Sequence, residues 1–126
     1  MADADKVILK IILESSEKID SFTRRWTDLH QFFYDISRDP KYTSLFDDLL
    51  FDTNGPFPFC SEIDEILSGI HLSGIIGTPN PVMEAYSINV KKSEVEGSLA
   101  GVFPFTDAEE GMIQEITGRF VAQLHE

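Results

Sequence analysis

The chain has 126 residues, the size of one ordinary domain, and is long enough to bury a single hydrophobic core. Its composition, 42% hydrophobic with ten Phe, excludes an intrinsically disordered protein, because such chains lack the apolar content that offsets the entropy of ordering. The 22 acidic residues outnumber the 10 basic ones and give a formal net charge of −12, which disfavours binding to anionic membranes.

Basic residues are missing from the middle of the sequence, since neither lysine nor arginine occurs between Lys41 and Lys91. Acidic residues are frequent in that stretch: Asp47, Asp48, Asp52, Glu62, Asp64, Glu65 and Glu84. Proteins that bind nucleic acids draw much of their affinity from Lys and Arg contacts with phosphates. We therefore expect no direct nucleic-acid binding.

Targeting features are also missing from the sequence. No apolar run reaches the roughly 18 residues that a membrane-spanning helix needs. The first six residues are acidic, unlike the start of a secretory signal. Cys60 is the only cysteine, so no intramolecular disulfide can form. These features predict a cytoplasmic protein without a membrane partner.

The first half of the chain has the apolar spacing of three helices. The first covers residues 5–16, the second begins at Ser21 as its N-cap and stops at residues 39–40, and the third covers residues 42–51. The second has the strongest pattern, with apolar residues at every third or fourth position: Phe22, Trp26, Leu29, Phe32, Phe33 and Ile36.

The second half begins with an irregular segment, residues 52–59, which holds an Asn-Gly turn signal and two prolines. A helix should follow, opened by a capping box between Ser61 and Asp64 and stopped at Gly74. Strands are predicted at residues 75–76 and 82–90, with a turn between them. Helix, strand, turn, strand is the order of a winged-helix unit.

The end of the chain predicts a polar surface connection over residues 91–98 and an extended segment over 99–105. A proper capping box, Thr106 with Glu109, opens a last amphipathic helix. The predicted fold is one α+β domain over residues 1–126, mostly helical, with a winged-helix-like unit and a small antiparallel sheet.

Cys60 is the one candidate nucleophile, because it precedes a helix N-terminus and His30 or His71 could supply a base. The carboxylates of Glu62, Asp64 and Glu65 oppose ionisation of this thiol, which favours a packed side chain over a catalytic one.

No nucleotide-binding or metal-ligand motif is present, so we expect neither a cofactor nor a metal. A metal site would have to combine distant residues such as His30, His71 and His125. Histidines at the surface or at helix ends are the simpler interpretation.

The segment before the predicted fourth helix carries aromatic residues beside acidic ones. Aromatic side chains in such a segment are either buried in the core or exposed as anchors for a partner. If they are exposed, they form an apolar patch surrounded by negative charge, as in a protein interface. The predicted partner-binding residues are Phe57, Phe59, Glu62, Asp64 and Glu65.

A family resemblance covers about a third of the chain, between Phe51 and Asn89. The segments that carry it are Asn54-Gly55-Pro56-Phe57, Ser61-Glu62-Ile63, Ile66-Leu67, Gly74-Ile75-Ile76 and Tyr86-Ser87-Ile88. They resemble a motif of small bacterial proteins, the YwgA-like and SocA-like antitoxin groups. This resemblance implies a winged-helix-like module with a protein-binding role and no catalytic residues, in an antitoxin or an accessory part of a phage-defence system.

The leading hypothesis is a cytoplasmic interaction module that docks a protein partner with a basic surface. One alternative is a nucleic-acid mimic whose carboxylates occupy the basic groove of a DNA- or RNA-binding protein. The other is an enzyme that uses Cys60. A homodimer is also compatible with the apolar helices at either end of the chain.

Overall fold

The computed structural model describes residues 4–78, 85–95 and 105–125. The helices and strands follow in chain order: α1 (Ala4–Ser15), β1 (Ser21–Thr23), α2 (Trp26–Arg38), a short 3-10 helix (Thr43–Phe46), α3 (Ser61–Leu72), β2 (Ile76–Gly77), β3 (Ala85–Ile88), α4 (Lys92–Val95) and α5 (Asp107–Leu124). The predicted fold class, a mostly helical α+β domain with a small antiparallel sheet, is confirmed.

The sheet has three strands in the order β1-β3-β2, and both pairings are antiparallel. Its first strand was not predicted, because Ser21 was assigned as the cap of α2. Ser21 instead pairs with Ser87 in the sheet, and α2 begins only at Trp26. Phe22 is fully buried in β1, with its ring centroid 5.1 Å from that of Phe120 in α5. Strand pairing and this burial prevail over the helical spacing.

The predicted third helix is mostly wrong. A 3-10 helix covers only Thr43–Phe46, and Leu50 is 77% exposed although the helical pattern placed it inside. The chain leaves the helix because Asp52 and Phe59 exchange backbone hydrogen bonds of 2.7 and 2.9 Å. This bridge makes residues 52–59 a closed loop, which we call the 52–59 loop.

The N-terminus of α3 also differs from the prediction. Cys60 is the N-cap residue and makes no side-chain cap bond, while Ser61 is the first helical residue and donates to Glu62. The capping box of Ser61 with Asp64 is therefore wrong. Gly74 is confirmed as the stop, because its φ of 87° is a left-handed conformation that other residues rarely adopt.

The order of α3, β2 and β3 agrees with the predicted helix, strand, turn and strand. Ile76 pairs with Ile88, and Gly77 pairs with Ser87. Most of the predicted turn and the start of the second strand fall on residues 79–84, outside the described residues. The winged-helix interpretation stays a prediction.

The last helix, α5, agrees with its prediction, whereas the connection before it contains a short helix that was not predicted. The connection predicted over residues 91–98 contains α4, and residues 99–104 lie outside the described part. The capping box of α5 is confirmed in both directions: the Glu109 amide donates to Thr106 Oγ1, and the Thr106 amide donates to Glu109 Oε1.

The core is centred on α1, whose apolar side chains are buried on nearly every side and pack chiefly against α5. Aromatic side chains from three elements, Phe22, Phe32, Phe33 and Phe120, continue this core toward the sheet. Within residues 4–78, 85–95 and 105–125, no helix has the length and apolar character needed to cross a membrane.

Glu14 is a buried carboxylate at the junction of α1, α4 and α5. Lys92 donates to its Oε2 at 3.1 Å, and Lys10 Nζ lies 3.1 Å from its Oε1. Burial raises the pKa of Glu14, but hydrogen bonds from Lys92, Gln114 and Lys10 outweigh burial and bring the pKa below its usual value. The charged form is therefore favoured in the folded protein.

We expect Glu14→Gln to lower the free energy of unfolding by about 1–3 kcal/mol at neutral pH, because two ammonium groups lose their carboxylate partner. A depressed folded pKa stabilises the protein above the unfolded pKa, and this contribution disappears as the pH falls through the folded pKa. The difference between wild type and variant, measured by urea unfolding, should therefore shrink from pH 7 toward acid. A difference that is constant with pH would contradict the role of the charge.

Candidate partner-binding site

A group of aromatic rings lies where the start of α2 meets the 52–59 loop. The indole of Trp26 stands at 90° to the ring of Phe57 and at 86° to that of Phe59, with centroids 5.2 and 5.5 Å away. The imidazole of His30 stacks on Phe59 at 4.8 Å. We call Trp26, His30, Phe57 and Phe59 the Trp26 cluster.

Trp26 is 52% exposed, although its spacing in the sequence placed it on the buried stripe of α2. It is the first residue of the helix, so it lies at the edge of the core and not over it. Phe57 and Phe59 are half-buried. The sequence left open whether they are buried in the core or exposed, and the observed state lies between these two possibilities. The three rings support one another and leave one side of the indole in solvent.

His30 connects three segments of the chain and is fully buried. Its Nδ1 accepts a 2.9 Å hydrogen bond from the backbone N–H of Cys60, so Nδ1 carries no proton. Its Nε2 then holds the proton and donates to Asp64 Oδ1 at 3.0 Å. Sequence reasoning placed this histidine at the surface or at a helix end, which is wrong.

The predicted acidic residues lie on different sides of α3. Asp64 faces the Trp26 cluster through its bond to His30, and its side chain remains 50% exposed. Glu62 points the other way and accepts from the backbone N–H of Leu50 and from Ser61. These hydrogen bonds hold the pKa of Glu62 below its usual value. Glu65 is exposed.

Positive charge is present just before the start of α2. Arg24 and Arg25 directly precede Trp26, and the guanidinium of Arg25 lies 4.0 Å from the carboxylate of Asp28. The arginines that precede α2 and the Asp64 carboxylate of α3 therefore bring charge of both signs to the surroundings of the Trp26 cluster. A surface with charge of both signs around an apolar centre can fix the orientation of a partner.

Cys60 is fully buried, as the sequence predicted for a packed thiol. Burial and the nearby Glu62 carboxylate raise the pKa of this thiol, and the Sγ atom lies 3.8 Å from Glu62 Oε1. The contact between Cys60 and His30 runs through the backbone amide of the cysteine and not through its sulfur. This geometry favours a structural role for Cys60.

The three histidines lie in three different environments. His30 binds Asp64, His71 lies beside the ring of Tyr86, and His125 forms a backbone bridge with Phe22. Among the described residues, no three His, Cys, Asp or Glu side chains are grouped so that they could hold a metal ion.

The chain matches no protein-family model, no curated protein and no solved structure at a significant level. The resemblance to the YwgA-like and SocA-like groups therefore stays an expectation from the sequence.

We expect His30→Phe to destabilise the protein by about 1–3 kcal/mol, since the buried Cys60 amide would lose its acceptor. Trp26 is the only tryptophan, so its fluorescence reports on the cluster directly. Its emission should shift to the red as the 52–59 loop separates from α2.

Asp64→Asn is the matched control, because the amide oxygen can still accept from His30 Nε2. Its emission spectrum should stay close to that of the wild type. A red shift of equal size in both variants would contradict the assigned hydrogen bonds.

We expect Cys60 in the folded protein to react with a thiol reagent at neutral pH at least about 100-fold more slowly than in denaturant, because the thiol is buried and its pKa is raised. The measurement is the rate of colour development with a disulfide reagent. Rapid modification of the folded protein would instead indicate an activated cysteine.

Proposed function

We propose that this protein is an interaction module that docks a protein partner with a basic surface through the Trp26 cluster. The observation that supports this proposal is the half-exposed indole of Trp26, held perpendicular to both Phe57 and Phe59. Tryptophan is among the residues that most often dominate the binding energy of protein interfaces.

The ring contacts that hold the Trp26 indole favour binding, because a partner does not have to immobilise a mobile side chain. Ordering a side chain on association costs roughly 0.5–1.5 kcal/mol, and the ring contacts with Phe57 and Phe59 reduce that cost in advance. The bond from Cys60 to His30 fixes the end of the loop that carries both phenylalanines. The cluster is thus a rigid anchor at the surface.

The charge of the chain supports a basic partner. The net charge of −12 and the absence of Lys and Arg between Lys41 and Lys91 create a negative field that attracts a positive surface. Asp64 provides an exposed carboxylate beside the cluster, and Glu65, the next residue of α3, is exposed as well. A second copy of this chain is a poor partner for the Trp26 cluster, because two molecules with a net charge of −12 repel each other.

The proposal includes a cytoplasmic location and a regulatory or antitoxin-like role. The acidic composition and the single cysteine support the location. The resemblance over residues 51–89 supports the role. Phe57, Phe59, Asp64 and Glu65 remain the predicted contact residues, and Trp26 joins them as the central one. Glu62 is left out of the contact, because it points away from the cluster and accepts from the Leu50 amide and from Ser61.

We expect Trp26→Ala to weaken partner binding by about 2 kcal/mol or more, roughly 30-fold in Kd, because it removes the anchor. Glu65→Lys should slow association and reduce its dependence on salt. The partner is first captured from a lysate of the source cells, and its Kd and rate constants are then measured with each purified variant.

Two variants serve as matched controls. Leu72→Ala removes another exposed apolar side chain, and Glu17→Lys reverses another exposed acidic one. Both should bind like the wild type. If all four variants bind equally well, the Trp26 cluster is not the contact. If duplex DNA and this protein compete for the same partner, the nucleic-acid mimic becomes the better description.

A further inference from the structure

A cleft of about 570 Å³ lies between the C-terminal half of α2, the 3-10 helix and the start of the 52–59 loop. None of its lining residues belongs to the Trp26 cluster. Its volume falls in the range of small-molecule binding sites, roughly 300–1,000 Å³. The lining side chains that decide its chemistry are Tyr34, Arg38, Phe46, Asp47, Leu49 and Phe51.

Part of the cleft is apolar and aromatic, although polar groups make up most of its exposed lining. The rings of Tyr34 and Phe51 meet at 68° with centroids 5.3 Å apart, so both are held in place. Phe46 and Leu49 are buried residues of the core that reach the same cleft. This arrangement suits a flat apolar group, which can make edge-to-face contacts with the aromatic walls.

Two opposite charges line the same cleft. The guanidinium of Arg38 lies over the ring of Tyr34, 5.5 Å from its centroid, and the carboxylate of Asp47 belongs to the turn after the 3-10 helix. Within the part of the chain that the structure describes, Arg38 has no carboxylate within 4.0 Å, whereas Lys41 and Arg119 each have one. Arg38 and Asp47 thus share the cleft without neutralising each other.

These charges restrict the ligand that the cleft can take. An anion alone would approach Asp47, and a cation alone would approach Arg38, so each would meet an unfavourable neighbour. A zwitterion satisfies both groups, because its carboxylate can bind the guanidinium and its ammonium group can bind the Asp47 carboxylate.

We propose that the cleft binds a small zwitterion with an apolar side chain, that is, a free α-amino acid of the aromatic or large aliphatic kind. The carboxylate of the ligand binds Arg38, its ammonium group binds Asp47, and its side chain packs against the rings of Tyr34 and Phe51. This binding site is separate from the partner-docking site, and either can fail in experiment without affecting the other.

The test uses the purified full chain and three probes of similar shape. L-Phenylalanine carries both charges, 3-phenylpropionate carries only the carboxylate, and phenethylamine carries only the ammonium group. Binding is followed by titration of backbone amide chemical shifts. L-Phenylalanine should give saturable shifts at residues of the cleft and bind about tenfold more tightly than either analogue, because each lacks one charge-assisted contact.

The variants assign each charge to its residue. Arg38→Gln should weaken L-phenylalanine and 3-phenylpropionate about tenfold and leave phenethylamine unchanged, whereas Asp47→Asn should weaken L-phenylalanine and phenethylamine. Arg119→Gln and Asp35→Asn are the matched controls, since they make the same changes in exposed residues outside the cleft.

Three outcomes would overturn this site. They are the absence of saturable binding up to the solubility of L-phenylalanine, equal affinity for all three probes, and unchanged affinity in the Arg38→Gln and Asp47→Asn variants. Trp26 fluorescence checks that each variant has kept its fold, and all four substituted side chains are exposed or hydrogen-bond only at the surface. Loss of binding in either control variant would also count against the assignment.

Discussion

The imidazole of His30 is the contact on which the candidate site depends. It accepts from the Cys60 amide and donates to Asp64, so one buried side chain of α2 fixes both the end of the 52–59 loop and the first turn of α3. The two hydrogen bonds give partners to the Cys60 N–H and to His30 Nε2, and a buried polar group left without a partner would destabilise the fold. Because the loop is held at this point, Phe57 and Phe59 are placed against Trp26, and a ring at the edge of the core becomes a fixed feature of the surface.

The acidic character of the chain has two separate structural effects. Where carboxylates are buried or half-buried they are matched by partners, as Glu14 is by Lys10 and Lys92, and they connect elements that are distant in sequence. Where they are exposed, as at Asp47 and Glu65, they set the field that an approaching molecule meets. Among the basic residues, Arg38 lines the cleft, where its guanidinium lies over the ring of Tyr34.

Much of the fold could be predicted from local signals in the sequence. The helices α1 and α5, the Thr106 cap and the Gly74 stop follow from spacing and capping chemistry, which act within a few residues. The errors occur where distant partners decide the structure. Ser21 and Phe22 join a strand that lies more than sixty positions later, and Asp64 binds His30 in place of capping its own helix. The candidate site depends on contacts of this second kind. Phe57, Phe59 and Asp64 were predicted from the placement of aromatic and acidic residues around the loop, whereas Trp26 and His30 were hidden in a regular helical pattern.

The packing of α1 against α5 has a consequence for how the chain reaches its folded state. These two helices lie at opposite ends of the described sequence, and each covers the apolar side of the other. Contacts between such distant segments form late, since the chain must close a long loop before they contribute. During synthesis, the isoleucines of α1 lack this cover until α5, more than ninety residues further along the chain, has been made. Until α5 has formed, these side chains are exposed hydrophobic surface of the kind that makes incompletely folded chains prone to aggregate.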